Sequence, residues 1–173
     1  MKWFLSFALA LKCLSDTTEA EEVILMEPFD PTKAGGLWYI YSRNQNLLEK
    51  TNGAKCLIAD IEHDAGGMDL YKVEAKWTDP SLGDMDITLH VVDDKVHPAQ
   101  YFFLHDEHRI ALSILGTDYD NYLVGHGMLG LKATYFTAFR KLPADPAVMA
   151  AADKILQKNK VTRDFQIIDH SSC

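Results

Sequence analysis

Three glycines in the C-terminal half of the chain have the spacing of a dinucleotide-binding loop. Gly125, Gly127 and Gly130 form the pattern G-x-G-x-x-G. In a dinucleotide site this loop leads into a helix whose N-terminus binds the pyrophosphate. Here the residues that follow, 132–139, indicate a β-strand instead. We therefore expect these glycines to lie in a strand and to help the chain form its hairpin turn.

Two histidines, His105 and His108, enclose an acidic pair and could suggest a metal ion. Residues three apart on a strand face opposite sides, and a surface turn would offer only a loose, solvated site. His90 shares the outward face of its strand with Asp86, which favours a solvated or salt-bridged histidine. The sequence therefore predicts no metal site.

The first twenty residues have the features of a secretory signal peptide. Lys2 precedes an apolar run over residues 3–11, and small residues near Ala20 provide a cleavage point. The run is much shorter than the roughly 20 residues that a membrane-spanning helix needs. We expect residues 1–20 to be removed, residues 21–173 to form a single domain, and the protein to be secreted and extracellular, with no membrane span.

Removal of this leader also removes Cys13 and leaves Cys56 and Cys173 as an even pair. In an oxidising compartment the pair predicts one long-range disulfide, which would stabilise the fold by about 4 kcal/mol in the chain-entropy model. No free thiol then remains as a nucleophile, and neither a Gly-x-Ser-x-Gly motif nor an arrangement of paired carboxylates is present. We predict that the chain is not an enzyme.

The charge of the chain argues against nucleic acid as a partner. Its formal net charge is −8, and no cluster of lysine and arginine reverses this locally. Acidic surfaces repel phosphate backbones and anionic headgroups.

The arrangement of elements is that of an all-β domain. Between Trp38 and Arg140, short segments with period-2 alternation are separated by clusters of Gly, Pro, Asn and Asp, one of them over residues 125–130. These breaks delimit about eight strands, the number whose closed barrel encloses one small ligand. Residues 147–158 predict a helix capped by Asp145, and residues 161–169 a short extended segment.

Alternation also predicts which side chains face inward. In residues 68–77 the charged side chains occupy one face, which leaves Tyr71, Val73, Ala75 and Trp77 on the other. The same reasoning places Met85, Val91, Gly125 and Thr134 inside. A β-sandwich with a filled core would show the same faces, so alternation alone does not establish a cavity.

A spaced set of motifs resembles the lipocalin family. Residues 29–33 (FDPTK) and 36–39 (GLWY) are similar to the start of its first strand, and residues 117–122 (TDYDNY) to the turn between its sixth and seventh strands. Arg140 is similar to the basic residue that closes the eighth strand. The cysteine pair resembles the branch of apolipoprotein D, bilin-binding proteins and crustacyanins, although the second disulfide usual in that branch has no counterpart, since residues 21–26 and 123–128 contain no cysteine.

The resemblance implies an all-β fold: an eight-stranded up-and-down antiparallel barrel with one C-terminal α-helix packed outside. It also implies that Trp38 closes one end of the barrel beneath Arg140, through a cation–π contact. The ligand-binding residues expected inside are Trp38, Ile40, Leu57, Ala59, Ile61, Tyr71, Val73, Trp77, Ile87, Leu89, Phe102, Leu104, Leu112, Leu123, Phe136 and Ala138.

The function implied is reversible binding of a small hydrophobic molecule, with no cofactor required. Candidate cargoes are a pigment, such as biliverdin or a carotenoid, or a lipid, steroid or retinoid. Residues 43–46 (RNQN) offer polar partners for propionates, and Leu47 and Leu48 could form a lid. The alternative is a protein-protein interaction module with a filled or minor cavity, which binds a partner or blocks a protease. Either a monomer or a homo-oligomer is compatible with the sequence.

Overall fold

A computed structural model of the chain describes residues 23–44, 53–64, 70–92, 97–105, 107–130, 132–162 and 164–173. Within these ranges the chain forms eight long strands that follow one another in sequence. They are β1 (Gly36–Arg43), β2 (Lys55–Asp64), β3 (Leu70–Asp79), β4 (Gly83–Val92), β5 (Gln100–His105), β6 (His108–Thr117), β7 (Tyr122–Leu129) and β8 (Lys132–Phe139).

The eight strands close into a barrel. Each strand pairs antiparallel with the next, and β1 pairs with both β2 and β8. Trp38 lies opposite Ala59 on one side of β1, and Ile40 lies opposite Ala138 on the other. The predicted eight-stranded up-and-down barrel is therefore confirmed.

One α-helix, α1 (Pro146–Lys158), packs on the outside of the barrel. Asp145 caps it by accepting a hydrogen bond of 2.7 Å from the backbone N–H of Ala147, close to the predicted start. Its buried face, with Ala152 and Leu156, packs against β6 and β7, in a hydrophobic cluster that also contains Tyr135 and Phe139 of β8. A Cβ at position 116 of β6 would lie 2.9 Å from Ile155, so the glycine there lets the helix approach closely.

The C-terminal segment lies along the side of the barrel. A short strand, β9 (Gln166–Ile167), pairs with the end of β1 and is shorter than the predicted extended segment. Beyond it, Cys173 forms a disulfide with Cys56 across a sequence separation of 117 residues, with Cα atoms 5.6 Å apart. The predicted disulfide is present.

One predicted break is misplaced. Strand β7 continues through Gly125 and Gly127 to Leu129, and only Gly130 adopts a turn conformation, with φ of 59°. The predicted leader, residues 1–20, lies outside the described residues. Within the described ranges, no helix is long and apolar enough to cross a membrane.

Candidate ligand cavity

Trp38 and Arg140 close one end of the barrel. Trp38 is 1% exposed, and its Nε1 donates a hydrogen bond of 2.8 Å to the carbonyl oxygen of Ala34. The guanidinium carbon of Arg140 lies 3.6 Å from the centroid of the Trp38 ring, as a cation–π contact requires. We call this the Trp38 end. The opposite end, at which β1 finishes, is the Arg43 end.

A cavity of about 230 Å³ lies inside the barrel, and its walls are almost entirely apolar. Most of the residues predicted to bind ligand line it. These are Trp38, Ile40, Leu57, Ala59, Ile61, Val73, Trp77, Ile87, Leu89, Leu112, Leu123, Phe136 and Ala138. Ala75 and Thr134, also expected to face inward, line it as well.

Phe102 and Leu104 do not line the cavity, and their predicted inward orientation is wrong. Leu104 is 53% exposed, and the guanidinium of Arg109 lies 3.9 Å from the centroid of the Phe102 ring. Phe103, which is 2% exposed, faces inward in their place. All the residues between the ends of β5 are apolar or aromatic, so alternation within this strand could not distinguish its faces.

The neighbouring strand contained the missing signal. Directly opposed residues of antiparallel strands project to the same side of the sheet. Leu104 lies opposite the charged Arg109, and Tyr101 lies opposite the inward-facing Leu112. Pairing across this hairpin would have placed Leu104 outside.

Tyr71 lies apart from the main cavity, in a second space of about 30 Å³ nearer the Trp38 end. Its ring contacts that of Tyr101 edge to face, with centroids 5.7 Å apart, and Phe29 covers the same space. Burial raises the pKa of Tyr101. This second space is small beside the main cavity of about 230 Å³ and adds little room for a ligand.

Arg43 lines the cavity because of an irregularity in β1. The pairing of β1 with β8 shifts between Ile40 and Ser42, so that Arg43 lies opposite the inward-facing Phe136. Regular alternation from Ile40 would point Arg43 outward, whereas a β-bulge reverses the faces of the residues that follow it. Arg43 is only 8% exposed, and burial lowers its pKa.

Two further polar groups lie in the wall of the cavity. The Thr134 hydroxyl donates to Oδ1 of Asn44, which also accepts a hydrogen bond of 2.7 Å from the backbone N–H of Tyr135. Trp77 is 6% exposed, and no atom of the described residues accepts a hydrogen bond from its Nε1. Among the described lining residues, Arg43 alone is charged.

The candidate lid lies outside the described residues. Leu47, Leu48 and the rest of residues 45–52 are not described. Across the ranges that are, no three His, Cys, Asp or Glu side chains are placed to hold a metal ion.

The sequence matches no protein-family model and no curated protein. Solved structures do match. The cockroach major allergen Per a 4 has a TM-score of 0.71 at 21% identity, over 87% of this chain and 92% of that one. Insecticyanin from the tobacco hornworm Manduca sexta has a TM-score of 0.70 at 15% identity, over 87% and 86%. Lobster apocrustacyanin A1 has a TM-score of 0.68 at 15% identity, over 83% and 81%.

The chain has the lipocalin fold. The motifs at residues 29–39 and 117–122 and the basic Arg140 therefore correctly indicated the fold. In this lipocalin barrel the TDY turn anchors the Trp38 end, because the Tyr119 hydroxyl accepts a hydrogen bond of 2.8 Å from the backbone N–H of Asp30.

Proposed function

We propose that this lipocalin barrel is a secreted carrier that reversibly binds a small hydrophobic molecule. The observation that carries the proposal is the apolar cavity of about 230 Å³ inside the barrel. Removing apolar ligand surface from water contributes about 25 cal/mol per Å², and a few polar groups in the wall orient the ligand. No chemical step and no cofactor are part of this function.

The size of the cavity supports a narrow ligand, such as a single lipid chain. An engineered cavity of about 150 Å³ binds benzene, and pockets for drug-sized molecules begin at about 300 Å³. At about 230 Å³, this cavity lies between the two. A lipid chain fits such a space, whereas biliverdin, a carotenoid or a steroid would have to project from it or widen it.

The cavity also supports the carrier over the partner-binding module. That alternative expects a filled or minor cavity, whereas small residues such as Ala59, Ala75 and Gly127 leave about 230 Å³ of the interior empty.

Uptake of the neutral fluorophore N-phenyl-1-naphthylamine tests the proposal. We expect saturable binding by the wild type and a loss of at least about tenfold in Ala75→Phe, whose ring would occupy the cavity. Leu104→Phe, on the exposed outer face, is the matched control and should bind normally. A wild type that takes up no apolar probe would overturn the carrier function.

Native mass spectrometry and an absorption spectrum of protein purified from its source would identify the cargo. A visible band indicates a pigment, and a colourless ligand of a few hundred daltons indicates a lipid or steroid.

Secretion is supported by the apolar leader and by the disulfide between Cys56 and Cys173, since such bonds persist in oxidising compartments. When the full chain is expressed in a secreting cell, the protein should accumulate in the culture medium and should lack residues 1–20. Retention of the uncleaved chain inside the cell would contradict this part of the proposal.

A further inference from the structure

We propose that the C-terminal segment, residues 166–173, is a gate in the barrel wall beside the cavity, and that the disulfide between Cys56 and Cys173 is its redox-sensitive latch. The gate controls how fast a ligand enters and leaves at the Arg43 end. This inference rests on the proposed carrier function and adds its regulation.

Strands β1 and β2 separate toward the Arg43 end. Their pairing runs from Gly36 opposite Ile61 to Tyr39 opposite Ile58. Beyond Tyr39, β1 continues to Arg43, but among the described residues its partner on this side is β9 and not β2. A closed barrel needs strand pairing around its whole wall, so another piece of chain must fill the gap between β1 and β2.

The C-terminal segment fills this gap and bonds to both strands. The backbone N–H of Ile168 donates to the Tyr41 carbonyl over 2.8 Å. On the other side, the backbone N–H of Cys56 donates to the Asp169 carbonyl over 2.9 Å, and Nζ of Lys55 lies 3.2 Å from the Asp169 carboxylate. The segment therefore acts as a short additional strand of the wall, placed between β1 and β2.

Ile168 packs against residues that line the cavity. It is 5% exposed and shares a hydrophobic cluster with Leu57 and Trp77, both of which lie in the cavity wall. The neighbouring Ile167, by contrast, is 67% exposed. Displacement of the segment takes Ile168 away from Leu57 and Trp77 and opens the wall beside the cavity.

The disulfide is what holds this short segment in place. Strand β9 comprises two residues, both exposed, and segments with few buried contacts open at a lower free energy than the fold as a whole. The bond between Cys173 and Cys56 ties the end of the segment to the start of β2 and restricts such opening. An intact disulfide therefore keeps the gate shut.

A dithiol reductant can reach the latch, since Cys173 is exposed and Cys56 is only partly buried. The first thiolate of the reductant attacks the Cys173 sulfur, forms a mixed disulfide and releases Cys56 as a thiolate, which takes up a proton. The second thiol then displaces Cys173. Two electrons have moved, so the reductant ends as a disulfide and both cysteines end as thiols.

The test measures the rate at which N-phenyl-1-naphthylamine leaves the folded full chain after dilution, with and without dithiothreitol. Reduction should speed release at least about tenfold, because opening of the gate no longer works against the disulfide. Ile168→Ala, with the disulfide intact, should also speed release, by about three- to tenfold, because the segment loses its buried contact with the wall. Ile167→Ala is the matched control and should release the fluorophore at the wild-type rate.

Leu156→Ala separates gating from a general loss of stability. Leu156 packs between α1 and the barrel in a different hydrophobic cluster, so its truncation destabilises the fold away from the gap. This variant should keep the wild-type release rate. Amide hydrogen exchange locates the opening: reduction should remove the protection of the Ile168 and Cys56 N–H groups and preserve that of β6 and β7.

A release rate that reduction changes by less than about twofold, or that Leu156→Ala raises as much as reduction does, would overturn the inference. If reduction unfolds the whole barrel, the latch is refuted, and the comparison of Ile168→Ala with Ile167→Ala decides whether the segment gates the cavity. These results leave the carrier function intact as long as the wild type binds the fluorophore. A wild type that binds none refutes the carrier function instead.

Discussion

Arg140 covers the indole of Trp38 and joins three separate parts of the chain at the closed end of the barrel. Its guanidinium carbon is 3.6 Å from the ring centroid, Nε donates to the Tyr119 carbonyl over 3.0 Å, and Nη1 donates to the Leu37 carbonyl over 3.1 Å. One side chain thus fixes the start of β1, the turn between β6 and β7, and the end of β8.

Replacement of Arg140 by methionine should lower the free energy of unfolding by about 2–3 kcal/mol, because a cation–π contact and two hydrogen bonds are lost together. Urea denaturation measures this difference. Lys141→Met, at the exposed neighbouring position, should change stability by less than about 0.5 kcal/mol. Equal stabilities for the two variants would contradict the role of Arg140, and Arg140→Lys should be intermediate.

Phe103 and Leu104 provide a direct test of which face of β5 is buried. Phe103→Ala should destabilise the fold by about 3–5 kcal/mol, since it removes a buried ring. Leu104→Ala, at a position that is 53% exposed, should cost less than about 1 kcal/mol. The midpoints of urea denaturation compare the two, and the reverse order would mean that β5 faces the other way.

Removal of the disulfide between Cys56 and Cys173 should lower the stability of the barrel. The double variant Cys56→Ser with Cys173→Ser frees a loop of 117 residues, and the chain-entropy model predicts a loss of about 4–5 kcal/mol. Denaturation in urea measures the loss, and reduced wild-type protein serves as the control for the serine substitutions. An unchanged midpoint would show that the bond contributes nothing to stability.

Acid should weaken the turn between β6 and β7 through Asp118. Burial alone would raise the pKa of this carboxyl, but hydrogen bonds from Asn121 and from the backbone N–H of Tyr122 outweigh it and lower the pKa. A carboxyl whose pKa is lower in the folded state stabilises the fold fully above its unfolded pKa, about 3.9, and loses this contribution as the pH falls below that value.

The difference in stability between the wild type and Asp118→Asn should therefore be largest at neutral pH and shrink near about pH 3. Urea midpoints at the two pH values measure it. Asp153→Asn, at an exposed position of α1, is the control. A gap between the wild type and Asp118→Asn that widens in acid would contradict the assignment.

Sequence patterns were sufficient to predict which face of a strand points into the barrel wherever charged residues marked the outer face. Lys72, Glu74 and Lys76 alternate with Val73, Ala75 and Trp77, so the faces of β3 followed directly from the period of a strand. The same rule could not distinguish the inner face of β5 from its outer face, because aromatic residues occur on both. Its orientation depends on contacts with β6, which are long-range information that a single strand does not contain.

Arg43 illustrates a second limit. Residues 43–46 were predicted as polar partners for propionates in the loop after β1, where such residues are equally ordinary. The inward orientation of Arg43 arises from a one-residue shift in the pairing of β1 with β8, and no residue type in the segment signals such a shift. The pattern thus predicted most of the apolar wall that the described residues form, but not that Arg43 lies in that wall.

The seal formed by Trp38 and Arg140 has a kinetic consequence. Because the described residues Trp38 and Arg140 close one end of the barrel, an incoming molecule cannot push the resident one out through that end. Exchange would then proceed by departure first and arrival second, and the rate at which a bound molecule leaves would not depend on how much competitor is present.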